Sequence, residues 1–98
     1  MVAGTTAAPD WTTGSTQTID ISGAGGNVTA TFSNPVAGGL YTVIVLCKAA
    51  TTFTFAGGTF RWAGSTAPTI TATTGKIDVF HLYYDGTQYL ERTRAQNQ

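Results

Sequence analysis

Charge is the scarcest thing in this chain. Asp, Glu, Lys and Arg make up 10% of its 98 residues, against roughly 25% in a typical soluble domain. A folded surface so poor in charge has little to keep single copies dispersed, which points to a surface covered by other protein. Five basic residues balance five acidic ones. No basic field is left to hold a phosphate backbone, so nucleic acid is not an expected partner. A single cysteine, Cys47, excludes an internal disulfide. The longest apolar run, residues 40–47, includes Thr42 and is too short to cross a bilayer, so no membrane partner is expected. Residues 1–14 lack the basic start and apolar stretch of a secretory signal. A soluble protein made in a cytoplasm is therefore expected. Helical periodicity is missing too: threonine and glycine, poor in helix interiors, recur along the whole chain.

What is present is short β alternation punctuated by turn residues. Residues 1–16 are rich in Thr, Ala and Gly around Trp11 and read as an extended N-terminal arm. Residues 17–98 read as one β-sandwich domain. In residues 17–22 (QTIDIS) Ile19 and Ile21 share a face, and in residues 27–32 Val28, Ala30 and Phe32 do. Residues 40–47 are apolar on both faces, which predicts a strand covered on both sides. Residues 51–55 and 59–62 flank Gly57 and Gly58 and predict a hairpin; residues 69–73 predict another strand after Pro68. Residues 76–84 form the longest strand. Asp85 and Gly86 predict a type I′ turn, which would set Tyr84 opposite Thr87, Leu82 opposite Tyr89 and Phe80 opposite Glu91. The tail, residues 94–98, is polar and expected to be exposed or held by a partner. The fold class that follows is all-β: a compact two-sheet sandwich or jelly roll of about eight short antiparallel strands. No internal repeat of fixed period is visible.

Catalytic and metal chemistry find no footing. His81 is the only histidine, and with Cys47 more than thirty residues away it makes no zinc set. Asp78 lies in the same strand as His81 but faces the other way, and no serine carries a nucleophile-elbow pattern. No catalytic residue, metal ligand or cofactor is assigned, and enzyme activity is not expected. Residues 23–26 (GAGG) lack the Lys-Ser/Thr ending of a phosphate loop and read as a turn. Cys47 reads as a small buried apolar residue. The aromatics Trp11, Trp62, Tyr83, Tyr84 and Tyr89 either pack in the core or an interface or line a groove that stacks on sugars, with packing favoured.

Four segments carry a resemblance: residues 39–45 (GLYTVIV), 59–71 (TFRWAGSTAPTIT), 77–80 (IDVF) and 83–87 (YYDGT). A Gly-Tyr-Thr strand, a Trp followed by Gly-x-x-Ala-Pro-Thr, and an Asp-Val-Phe strand leading to Tyr-Asp-Gly-Thr resemble small β-domains of tailed-bacteriophage virion proteins. Those domains are capsid decoration or head-fibre proteins and terminal domains of tail fibres. The resemblance covers about residues 39–90. This chain departs from it with Gln88 and Tyr89 where an aromatic usually follows Asp-Gly-Thr, and with Gln96, Asn97 and Gln98 in place of an apolar end. The resemblance implies a structural role and a homotrimer. The resulting expectation is a capsid decoration (cement) protein on the outer surface of the virion, made in the host cytoplasm. Its partners would be itself and the phage major capsid protein or another virion protein. A start at Met1 with no fibre shaft before it favours that reading over a fibre tip. The alternative is a receptor-binding knob at the end of a tail or head fibre that holds a host glycan. Candidate partner-binding residues are Pro9 and Trp11 in the arm, and Trp62, Tyr83 and Tyr89.

Overall fold

Alternation builds the strands, and the glycine-rich stretches between them carry the chain from one sheet to the other. A computed structural model describes residues 4–98; the first three residues of the expected arm lie outside them. Eight strands form among the described residues: β1 (Thr6–Ala7), β2 (Thr16–Asp20), β3 (Val28–Thr31), β4 (Leu40–Leu46), β5 (Phe53–Ala56), β6 (Phe60–Arg61), β7 (Ile77–Tyr84) and β8 (Tyr89–Ala95). They make a two-sheet sandwich, with β1-β3-β5 in one sheet and β2-β4-β7-β8-β6 in the other. Ile19, Ile21, Val28, Ala30, Phe32, Val43, Val45, Phe80 and Leu82 are buried between the sheets, as their alternation predicts.

The path is not the antiparallel one expected. β1, β3 and β5 run parallel, as do β2 with β4 and β6 with β8; only β4–β7 and β7–β8 are antiparallel. The first half of the chain therefore coils, laying strands alternately in the two sheets. Each turn returns to the same position with an offset of 23, 26 or 25 residues: Thr6 beside Thr29, Thr16 beside Thr42, Thr29 beside Thr54. The varying offset hides the repeat from a search for one fixed period. Gly57 shows why the expected hairpin at Gly57 and Gly58 does not form. Its φ of +90° sends the chain across the sandwich, and a Cβ there would sit 2.2 Å from the Phe32 carbonyl oxygen. β5 and β6 consequently fall in different sheets.

From residue 4 onward the N-terminal segment belongs to the domain, which corrects the reading of residues 1–16 as an extended arm. β1 pairs with β3, Pro9 is fully buried, and Trp11 sits in a 3-10 turn capped by Asp10, whose carboxylate accepts from the Thr12 N–H. The Trp11 indole stacks on Tyr41 at 4.3 Å and on Phe32 at 5.3 Å. Its Nε1–H donates to the Tyr89 hydroxyl at 2.8 Å, joining the first coil turn to the last strand.

The closing hairpin also differs from expectation. Tyr84 faces Tyr89, Leu82 faces Glu91 and Phe80 faces Arg94. Asp85 accepts at Oδ1 from the N–H groups of Thr87 and Gln88, which stabilises a four-residue loop in place of the two-residue turn; Gly86 supplies a φ of +104°. Residues 69–73 form no strand, because Asp78 takes the Thr71 N–H and hydroxyl, both at 2.8 Å. The polar tail is fastened as well. Gln96 Nε2 and the Asn97 N–H donate to the same carboxylate, and Gln98 exchanges backbone bonds with Ile77.

Asp78 is thus an inaccessible carboxylate held by neutral donors. Burial pushes its carboxyl up, but the bonds from Thr71, Asn97 and Gln96 outweigh burial and hold it below its ordinary value of 3.8. A depressed folded pKa contributes stability above the unfolded value, and that stability is lost as pH falls through the folded one. Asp78→Asn should therefore cost about 1–3 kcal/mol at neutral pH. The gap to wild type should shrink as urea midpoints are followed below pH 3.8; a gap independent of pH would refute this account. Deleting residues 1–14 should leave an unfolded chain by amide dispersion and circular dichroism, since losing one buried Trp costs about 3–5 kcal/mol of a total near 5–15 kcal/mol.

Candidate docking face

Two-sided apolarity in β4 was expected to mean cover on both sides. Cover exists on one side only. Tyr41, Val43, Val45 and Cys47 are buried in the sandwich, while Leu40 is 57% exposed and Ile44 and Leu46 are half-buried. β4 lies inside its sheet, paired with β2 and β7, so its backbone is satisfied while its outer side chains are bare. Register places Leu40 beside Tyr83, Thr42 beside His81, Ile44 beside Val79 and Leu46 beside Ile77. On the β8 side, Leu90 stands next to Tyr83. These residues form a continuous outer face on the five-stranded sheet, and no described strand or helical turn lies across it. The central pairs contain no acid, lysine or arginine. Charge is confined to the margins: Asp20 at one corner, where Ser22 engages its carboxylate, and Arg92 and the exposed Arg61, beside Leu90, at the far side. His81 is tied to Thr42, Nδ1 to Oγ1 at 3.2 Å. Val36, 67% exposed, lies in the loop leading into β4, where its N–H donates to the hydroxyl of the buried Tyr41.

A bulge in β8 keeps the opposite side closed. Pairing shifts between His81 and Leu82, leaving Arg92 as the extra residue. Alternation would otherwise send Glu91 and Arg94 to opposite faces; the bulge puts both inside. Arg94 grips both oxygens of the buried Glu91 carboxylate. Glu91 also accepts from the Ala63 N–H, and Arg94 donates to the Thr66 carbonyl. The loop after β6 is pinned by the last two of these contacts.

The candidate partner-binding residues do not come together. Pro9, Trp11 and Tyr89 are core residues, and Tyr89 has no exposed surface. Their sequence signal, large and aromatic, is the same for packing as for binding. Every Phe, Trp and Tyr but Tyr83 joins one network of ring contacts, from Trp11 through Phe32, Phe55 and Phe60 to Tyr89 and Tyr84. Trp62 is half-buried, stacked on Phe60 at 5.4 Å, and borders a groove beside β5. Only Tyr83 lies on the outer face. Leu40, Ile44 and Leu46 are face residues that the sequence reading took as covered, and Ile77 and Val79 join them from β7. Among the described residues, no cluster of His, Cys, Asp and Glu could hold a metal ion.

Comparison with protein-family models, with curated proteins and with solved structures gives no match to this chain. The resemblance to phage virion domains rests on the sequence motifs alone.

Cys47 follows β4 directly and is buried. Burial pushes its thiol up to about 11, helped by the negative charge of Asp78. From an ordinary 9.0 that leaves about a hundredfold less thiolate at neutral pH. The native thiol should resist a bulky disulfide reagent and react only after denaturant is added; prompt labelling of folded protein would contradict its burial.

Proposed function

We propose that this chain is a structural subunit of a tailed-phage virion: a capsid decoration protein that forms a homotrimer and sits on the outer capsid surface. The observation that carries the reading is the apolar centre of the outer face of the five-stranded sheet, where the β4–β7 pairs carry no acid, lysine or arginine. Such a face is costly in water and is a recurrent mark of protein–protein contact. Composition supports it, since 10% charge leaves little else to keep separate copies apart. The motifs of residues 39–90 support the phage assignment. With Trp11 and Pro9 in the core, the partner contact expected of the N-terminal arm falls to the sheet face instead.

A glycan-binding knob has weaker support. A sugar site needs hydrogen-bonding side chains beside its aromatic platform. The groove beside Trp62 offers Thr54 among Phe53, Phe55, Phe60, Ala67 and Pro68.

Size sets a further condition. Five strands at about 4.8 Å and seven residues at about 3.3 Å give a flat area on the order of 550 Å². A stable interface buries about 800 Å² per partner, so the face needs a second surface to complete the assembly.

The purified protein should scatter light as a trimer at micromolar concentration. Leu40→Lys and Ile44→Lys should shift it toward monomer while keeping a β-type dichroism spectrum. A wild type that stays monomeric at high micromolar concentration would overturn the reading. Imaging of particles separates the two virion locations: symmetric capsid sites support decoration, and copies confined to a tail or fibre tip refute it.

A further inference from the structure

Among the described residues, the three-stranded sheet has two open edges, and they match. There β1 pairs with β3 alone, and so does β5. All three strands run the same way, in the ladders Thr6–Thr29–Thr54 and Ala7–Ala30–Phe55. The threonines of the first ladder are exposed, and Ala7 and Ala30 are buried beneath them. Backbone bonding fixes which groups are free. Thr29 N–H donates to the Thr5 carbonyl, so in the alternating parallel pattern the N–H and C=O of Thr6 point to the outer edge of β1. Val28 N–H donates to Thr52 and Phe32 N–H to Ala56, so the groups of Phe53 and Phe55 point to the outer edge of β5.

Space is present on the β5 side. A groove of about 410 Å³, lined by Thr54, Phe55, Trp62 and Pro68, runs along that edge. A second of about 430 Å³, sharing Phe53 and Pro68 with the first, extends it toward Ile70. Neither is lined by any ionisable residue. An occupant should be an extended, uncharged segment with free backbone groups, and residues 4–8 (GTTAA) of this same chain are one.

We infer that β1 of a second copy adds in parallel to β5, continuing the sheet as β1-β3-β5-β1. One more step of the ladder sets the incoming Thr6 beside Thr54 and the incoming Ala7 beside Phe55. In that register the free groups complement each other. Thr6 N–H meets the Phe53 carbonyl, Phe55 N–H meets the Thr6 carbonyl, and Ala8 N–H meets the Phe55 carbonyl. The contact joins two different edges, so it is head-to-tail: it closes as a ring, three copies under the trimer proposed above, or runs on as a filament. It uses a surface separate from the outer face of the other sheet, and supplies the second contact that face requires.

The Thr6→Cys/Thr54→Cys double variant tests it. Within one chain the two positions are two strand spacings apart, about 9.6 Å, too far for a disulfide. Across the contact they are neighbours at about 4.8 Å, within bridging range. Mild oxidation at micromolar concentration should give covalent trimers or longer ladders on a non-reducing gel, and monomers after reduction. Thr54→Lys should dissociate the wild-type assembly, and Thr6→Glu in the same chain should restore it. If wild type associates but the double cysteine variant stays monomeric, or association ignores Thr54→Lys, the edge contact is wrong and the sheet-face reading survives. A monomeric wild type overturns both.

Discussion

The hydrogen bond from Trp11 to Tyr89 ties together the two halves of the architecture. One half is a parallel coil that could unwind from its first turn; the other is an antiparallel hairpin that closes the larger sheet. Trp11 belongs to the first and Tyr89 to the second, 78 residues later. Neither polar group has water to fall back on, since both rings are inaccessible or nearly so. Loss of either partner would orphan the other at the desolvation cost of a buried donor or acceptor. Around this bond the rings stack, Tyr89 on Phe60 at 4.6 Å and Trp11 on Tyr41 at 4.3 Å. A sandwich this thin gains much of its buried area from a few large rings. The same bond explains why aromatics that look available for partners in the sequence are committed inside.

Where strands run out, polar side chains take over. The segment between β6 and β7 has no ladder of its own, yet it packs Ile70 into the core. Two buried acids hold it. Glu91, with Arg94, fixes its start, and Asp78 fixes its end together with the C-terminal tail. The two differ in chemistry. Glu91 is neutralised by an arginine, whereas Asp78 keeps its charge on neutral donors alone, which works because backbone N–H groups are aimed at both of its oxygens. No buried side-chain oxygen or nitrogen among the described residues lacks a partner.

Much of the fold was legible in the sequence, and the failures have physical causes. Alternation at Ile19 and Ile21, or at Val28, Ala30 and Phe32, identifies inward residues because a strand's period is two whatever it pairs with. That same independence hides pairing direction. Nothing in the alternation of residues 28–32 distinguishes a parallel neighbour at 54 from an antiparallel one nearby. Gly57 looks like a hairpin glycine in sequence; the Phe32 carbonyl pressed against it is visible only in three dimensions. Asp85 carries the signal of two competing turns, and its carboxylate decides for the longer. The outer face was half legible: the sequence displays Leu40, Ile44 and Leu46 as apolar, but apolarity alone does not say whether the cover comes from the same chain or another.

The coil has a consequence for how the protein is made. A ribosome delivers residues in order, and domains generally fold as units during synthesis. Here β1 cannot pair until β3 has emerged, β2 waits for β4, and Trp11 waits for Tyr89. Asp78 then waits for Asn97. The fold stays incomplete until residue 97 has emerged, with its threonine-rich edges unpaired meanwhile. Distant parallel pairings are slow to form because the connecting loop must be ordered first. On a polysome, neighbouring nascent chains would present the same open edges to one another before any one of them has closed.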